Sequence, residues 1–540
     1  MDGKYIIQRF EGAKSIRVNS ESRWQTLRDY FAPYDQGITS TRSAGDELDF
    51  NRIFTSAPLR AVRVMTSGLH SYLTPANSEW VNLRTQVADM MQNKEVKDYL
   101  FAVQEELNFT LRNSNFDAAI DEAFNQTGVY GTTSMLIEED PQDRVRFRTL
   151  PIKCVYLMDD YRGKPCEYFI THDMTADQAY EKFGDKLPAD LLKNKEDNKN
   201  IGNTYPFLYW ISKRHDRDPR KKDNKNMPIR AVWVCMSSKE VIDEQGFHEF
   251  PLASHRFFKD GLSPYGYSPC DEALFDNRTL QMMEKTNLRA GMKATDPAIA
   301  LPHRAFLSKI NANSGSVNYY QKDAITRDSI FELPAGRGVA FGLEFADRKV
   351  QDIRESLFND VFNMFASLTK QMTVPEVTER IQEKMTLLGP AVGRFQTEFL
   401  DTCISRVISI LARNGHLPPM PEILMQVGGM YEIEYTAPLA QAQKRAQINR
   451  ISETFMMATN IAQASPDVLD NIDTDKMIRL AADYNGSPSP IIRGEEDVAM
   501  IRQGRAKQQQ AIDEAQMMAG SASVAKNVAQ ASATMAKSGM

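Results

Sequence analysis

The chain is poor in cysteine: 540 residues hold five, namely Cys154, Cys166, Cys235, Cys270 and Cys403, with no CxxC pair. An odd, scattered set excludes a disulfide framework and points to reduced thiols in a cytoplasm-like compartment. Long apolar runs are missing too. No stretch approaches the ~18 apolar residues of a membrane span, so no membrane partner is expected. The opening MDGKYIIQRFEGAK lacks the apolar core of a secretory signal. There is no basic excess: 65 Lys and Arg against 71 Asp and Glu leave a formal charge of -6. Proteins that grip a duplex by neutralising phosphates usually carry a basic balance. A tight duplex binder is therefore disfavoured, while transient contact with DNA stays open.

Catalytic patterns are equally scarce. The seven histidines never fall into HExxH or another metal-ligand spacing, and each reads as a surface or packed residue. The phosphate loop GxxxxGK[ST] is absent, as are GxGxxG and GxSxG. The acidic pairs Asp159–Asp160 and Glu495–Glu496 are sequence neighbours, which diverge on a strand or a helix, so both read as solvated surface. No enzyme activity, cofactor or metal is expected. One basic cluster stands out, Lys213, Arg214, Arg217, Arg220, Lys221, Lys222 and Lys225. With three aspartates interleaved and no aromatic stacking series, it reads as an exposed loop in preference to a nucleic-acid site.

What is present is a globular composition, 42% hydrophobic and 25% charged, long enough for several packed modules. Residues 1 to 19 read as a loosely ordered arm, and a helix starts at Ser22. Helices around 51–73, 94–112 and 114–126 enclose a short strand after Trp80. A sheet-rich block follows, with antiparallel strands over 145–174 turning at Arg162–Gly163. The fold class is α+β, predominantly helical.

Residues 261–293, GLSPYGYSPCDEALFDNRTLQMMEKTNLRAGMK, are a glycine- and proline-punctuated turn feeding an amphipathic helix over 271–293. A second helix is expected from 346 to about 368. Its stripe is Val350, Ile353, Leu357, Val361, Met364 and Leu368, widened by Phe358, Phe362 and Phe365. Two apolar faces need cover on two sides, from copies in a ring or from an ordinary buried position. The irregular stretch between these helices reads as a projection. A third helix begins at Thr373, with Glu376 at capping-box spacing, and runs to Asn414–Gly415. Gly389–Pro390 either kinks it or marks a corner between two helices.

Six segments, in order, resemble the head-to-tail connecting, or portal, proteins of short-tailed bacteriophages: RDYFAP; LRAVRVMTSGLHSYLTP with Trp80; GVYGTTSMLIEE; GLSPYGYSPCDEALFDNRTL; MTVPEVTERIQEKMTLLGPAVGRFQTEFL; and ILARNGHLPPMP. The likeness covers roughly residues 20 to 440. TPANSEW departs from it, lacking a second proline before the tryptophan. The resemblance implies a portal-type fold: a wing (1–260), a first stem helix (261–296), a clip (297–343), a second stem helix (344–368), a tunnel loop (369–376), a kinked wing helix (377–420), a helical crown (421–520) and a disordered tail (521–540).

It also implies a homo-oligomeric ring, dodecameric in the virion, at the capsid portal vertex, assembled in host cytoplasm. Major capsid and scaffolding proteins, the terminase large subunit, tail and adaptor proteins, and transient double-stranded DNA would be its partners. Ser314, Asn318, Tyr319 and Lys322 would be the docking residues of the clip. Lys370 and Gln371 would touch phosphates in the channel, although Lys370 equally suits a helix C-terminus. Asp352 and Glu355, with Asp347 and Asp360, would hold DNA off the wall by repulsion. A metal-dependent nucleic-acid enzyme and a non-ring helical virion scaffold are the alternatives.

Overall fold

The computed structural model describes residues 2–39, 52–76, 78–85, 93–196, 202–218, 220–221, 223–261, 263–295, 299–300, 319, 331–332, 339–366, 388–426, 431–436, 451–462, 471–485, 498–512 and 527. The chain divides into two compact units, one of residues 1–78 and 109–414, the other of 79–108 and 415–540.

The larger unit opens with α1, Gly3–Phe31, capped by the Asp2 side chain on Lys4 N–H. The arm expected over residues 1–19 is therefore helix. Its buried positions Ile6, Phe10, Ala13, Arg17, Ser20, Trp24, Leu27 and Phe31 alternate in steps of four and three, one continuous stripe. Ile6, Phe10 and Ala13 pack with Tyr156, Phe169, Leu208, Trp210, Val232 and Val234 in one core cluster. Full burial of each large apolar side chain contributes about 1.5–3 kcal/mol. Arg17, buried in the same stripe, donates to Val155 O at 2.8 Å and pairs with Glu21 at 3.0 Å.

α2 is Ala57–Leu73, starting later than expected with Pro58 in its first turn, α3 is Lys94–Asn113, and α4 is Phe116–Tyr130. Strands β2 (Thr132–Asp140) and β3 (Arg144–Leu150) pair antiparallel. Strands β4 (Val155–Asp159), β5 (Pro165–Thr175), β6 (Thr204–Lys213), β7 (Ile229–Cys235) and β8 (Glu240–Phe247) form an antiparallel five-stranded meander. The turn between β4 and β5 falls at Gly163, where φ is +74°. β9, Leu252–Arg256, joins the other edge of β2, giving a three-stranded sheet in the order β3-β2-β9. α5, Ala176–Phe183, follows β5, carries a complete capping box between Thr175 and Gln178, and is succeeded in the chain by α6, Ala189–Glu196.

Next come α7, Pro269–Thr295, and α8, Val339–Ser356, an antiparallel pair. Lys349 Nζ reaches Asp276 at 2.9 Å, and Gly342 lies against Asn287. The helix expected from 346 to about 368 is broken. Phe358 adopts φ +55°, and a new helix, α9, runs Asn359–Ala366. No proline or glycine stands at the break; packing imposes it. Later, the helix described from residue 388 passes through a π turn at Phe395–Leu400 into α10, Asp401–Arg413. Ala391, Phe395, Phe399, Cys403, Val407 and Leu411 are all buried. Steps of four drift by about 40° each on a regular α-helix, and the wider π turn keeps the stripe on one side.

In the smaller unit, β1 (Val81–Thr85) pairs antiparallel with β10 (Tyr431–Tyr435), and Trp80 stacks on Tyr435 with ring centres 6.4 Å apart. Helical segments cover 451–462, Thr474–Asn485 and 498–512, and Arg502 holds Asp475 through two bonds of 2.6 and 2.8 Å.

Candidate functional site

The α7–α8 pair grows from a turn clamped on several sides. Phe258 and Tyr267 exchange backbone bonds of 3.0 and 2.7 Å, closing residues 258–267 into a loop. Tyr265 is fully buried; its hydroxyl accepts from Leu157 N–H at 3.0 Å, and its ring meets Trp24 edge-on at 5.0 Å. Trp24 in turn donates to Tyr130 O at 3.0 Å. Gly131 closes α4 with φ +74°, and a side chain there would collide with the backbone at Tyr267. Gly131 therefore has both a conformational and a steric reason to be glycine.

Ser268 and Asp271 form a reciprocal cap. Ser268 N–H donates to Asp271 at 2.8 Å, and Asp271 N–H donates to Ser268 Oγ at 3.2 Å, with Pro269 as first helical residue. This is the two-way N-terminal capping pattern with proline where its missing N–H costs nothing. Burial raises the Asp271 carboxyl above the usual range, against the opposing pull of Arg23. Ser268 Oγ also donates to Val129 O at 2.8 Å. The first half of α7 is then tied down: Asn277 donates to Tyr30 O at 3.1 Å, and Gln281 Oε1 accepts from Phe54 N–H at 2.6 Å.

Its outer face is different. Phe275 is 74% exposed and Met282 72%. They lie seven residues apart, on one face. Exposed Arg278 and Arg289 flank them. Exposed apolar side chains are ordinary singly, but a stripe of large ones on a rigid helix marks an interaction surface. The exposed positions of α8 are Leu343, Glu344, Asp347, Arg348, Gln351, Arg354 and Glu355 among the described side chains.

The residues singled out from the sequence fare unevenly. Glu355 is exposed, whereas Asp352 is half-buried and bonded to Lys349 Nζ at 2.8 Å. Arg348 and Arg354 share the exposed face with Asp347 and Glu355, so that face is nearly balanced where an acidic one was expected. Tyr319 is exposed. Ser314, Asn318, Lys322, Lys370 and Gln371 lie outside the described residues, as do the Thr373–Glu376 start and most of the clip. Of the basic cluster, Arg217, Arg220, Lys221 and Lys225 are exposed and Lys213 lies 3.9 Å from Asp160 in the β4–β5 turn, while Arg214 is buried, pairs with Glu244 of β8 at 2.7 Å and bonds Lys225 O; Lys222 lies outside the described residues. That supports the exposed-loop reading.

Asp159–Asp160 is not simply solvated surface. Asp160 Oδ1 accepts from Arg162 and Lys164 N–H, each at 2.9 Å, and holds the turn. Asp159 accepts from Lys259 at 2.5 Å and from Arg256 at 2.9 Å. Arg256 is fully buried and also reaches Glu398 in the π turn at 2.8 Å. Nothing in the alternating pattern of β9 marks that buried arginine in advance. Among the described residues no group of three or more His, Cys, Asp or Glu is placed to hold a metal ion. None of the described helices is long and apolar enough to cross a membrane.

The profile of the bacteriophage head to tail connecting protein family matches residues 4–492. The chain belongs to that family. It is 30% identical over 532 residues to the portal protein of Salmonella phage epsilon15, covering 97% of this chain and 95% of that one. It is 27% identical over 523 residues to a probable portal protein of Bordetella phage BPP-1, covering 95% and 93%. The resemblance read from six short segments thus extends well beyond residues 20–440 in both directions. It is a family of structural proteins.

Proposed function

We propose that this chain is a phage portal, assembling into a ring at one capsid vertex through which the genome is packaged and ejected. The observation carrying this reading is the match to portal proteins over nearly the whole chain, joined to a rigid helix pair whose apolar outer stripe is uncovered in the single subunit. In it, α7 and α8 are the stem, and the neighbouring subunit covers Phe275 and Met282. Exposed Arg278 and Arg289 on α7 suit Glu344, Asp347 and Glu355 on the next copy's α8. Residues 297–338, ending where α8 begins, with Ser314, Asn318, Tyr319 and Lys322, form the clip that docks the terminase and later tail or adaptor proteins. Residues 369–376, with Lys370 and Gln371, form the loop that brushes DNA, and the helices of 421–520 form the crown. The protein performs no bond chemistry. No observation favours the metal-dependent enzyme or the non-ring scaffold.

Native mass measurement and negative-stain imaging of the purified chain test this. A closed ring, near twelve copies, is expected, and Phe275→Asp with Met282→Asp should yield folded subunits that fail to close it. A wild-type chain that stays monomeric or dimeric under all assembly conditions refutes the reading. Deleting Ser314–Lys322 should spare ring formation and abolish motor or adaptor docking; intact packaging and tail attachment would overturn the clip assignment.

A further inference from the structure

The break between α8 and α9 carries local costs that its own sequence does not require. Phe358 sits at φ +55°, a left-handed conformation that a bulky side chain rarely takes. Its N–H turns back to Glu355 O at 3.0 Å, while Val361 and Phe362 N–H both fall on Phe358 O, at 3.0 and 3.4 Å. Beside it, Asn359 is buried and its Oδ1 accepts no hydrogen bond among the described residues. A buried acceptor left unpaired is a second penalty at the same point. Yet Val350, Ile353, Leu357 and Val361 keep helical spacing straight across the break. Local pattern and observed backbone disagree, and such conflicts cluster at functional sites, ligand clamps and switch regions.

What holds the break is a contact with α2. Phe362 lies over Gly68, so close that any side chain at position 68 would fall within its ring. Tyr72 stacks on the same ring, with centres 6.0 Å apart and planes 18° from parallel. Val361 and Phe362 are buried in this arrangement. We propose that the Leu357–Phe358 break is a two-state joint, latched while Phe362 occupies the Gly68 notch and unlatched when Phe358 turns right-handed and joins α8 and α9 into one helix. Unlatching gives up the Phe362 burial, gains the relaxed backbone, and carries α9 away from α2. The joint needs only this fold and not the ring reading.

Spin labels at Ser71→Cys and Asn363→Cys, both exposed positions, report it in the full-length chain. Cys154 and Cys166 are replaced by serine, and the labelled protein is diluted with unlabelled chain. Pulsed dipolar spectroscopy should show a short and a longer distance. Gly68→Ala, which fills the notch, should raise the longer population at least several-fold. Phe358→Gly, which removes the left-handed penalty, should lower it by a similar factor. If Gly68→Ala proves unfolded, Phe362→Ala takes its place with the same expected direction. A single short distance, unmoved by Phe358→Gly and by either notch variant, overturns the proposal. So does a longer population that rises with Phe358→Gly.

Discussion

Arg256→Met should destabilise the larger unit through Glu398 far more than through Asp159. The guanidinium is fully buried. It gives Asp159 bonds of 2.9 and 3.1 Å, Glu398 bonds of 2.8 and 3.2 Å, and Gly163 O one of 3.1 Å. Burial pulls the guanidinium pKa down, but Glu398 and Asp159 more than reverse that and hold it above its usual value. Removing one partner of a buried ion pair costs about 3–5 kcal/mol, chiefly because the remaining charge is stranded. The two carboxylates are stranded unequally. Asp159 keeps Lys259 at 2.5 Å, while Glu398 keeps no other ion-pair partner among the described residues. Adding Glu398→Gln to Arg256→Met should therefore recover about 2 kcal/mol, and adding Asp159→Asn well under about 1 kcal/mol. Urea unfolding followed by Trp24, Trp210 and Trp233 fluorescence reads this unit once Trp80 is changed to Phe. A loss below about 1 kcal/mol for Arg256→Met, or equal rescue by the two carboxylate variants, would refute the account.

Acid should weaken the same unit from about pH 6.5 downward. Burial first, then Arg148 and Lys182, push His172 down to about 4. The unfolded chain takes up that proton near pH 6.5 and the folded one does not, so stability is full above about pH 6.5 and falls as pH drops toward 4. At about 1.4 kcal/mol per pKa unit, discounted for partial solvent screening, the loss is about 2 kcal/mol. His172→Gln should make the pH dependence of the urea midpoint shallower across that window, the remainder coming from His255, which burial also holds well below its usual value. Gly131→Ala combines a left-handed backbone with a collision against Tyr267; it should cost at least about 2 kcal/mol or prevent folding, measured by thermal unfolding. Trp24→Phe leaves Tyr130 O without its donor and should cost about 1–3 kcal/mol in the same measurement.

Where local rules and tertiary packing agree, the sequence announced the structure. α7, the antiparallel strands around Gly163, α5 and the stop at Arg413 all follow from periodicity and turn chemistry. The clamped turn at 258–268 was visible as glycines and prolines, though its partners Trp24, Val129 and Leu157 were not. Other features were illegible for specific reasons. Arg17 and Ser20 interrupt the apolar stripe of α1, so its first half looked like a polar arm; in the structure Arg17 lays its stem in the core and satisfies its head on Val155. The break at Phe358 has no proline or glycine to signal it, and the notch that seats Phe362 beside it is made by Gly68, some 290 residues earlier in the chain. Arg256 is hidden by an ordinary strand pattern. Of the expected docking and channel residues, the structure places Asp352, Glu355 and Tyr319, and makes Asp352 a packing partner of Lys349.

The two apolar helices expected from the sequence turn out to have different needs. The phenylalanine-rich helix finds cover within its own subunit, since Phe362 is seated on α2 and Leu357 and Val361 are buried. The helix that remains short of partners is α7. In the proposed ring, covering Phe275 and Met282 would contribute about 3–6 kcal/mol per contact between neighbours, which by itself would only approach the cost of immobilising a subunit. The balance must come from the charged flanks and from further surface. A closed ring repeats each contact once per subunit, so a small loss per contact is multiplied around the circle, and assembly should respond to α7 substitutions far more sharply than subunit stability does. Salt adds a second handle on the same interface. Screening weakens the pairing of Arg278 and Arg289 with the next copy's acidic positions while strengthening apolar burial little. A ring held mainly by the stripe would therefore tolerate salt, and one held mainly by the flanks would come apart in it.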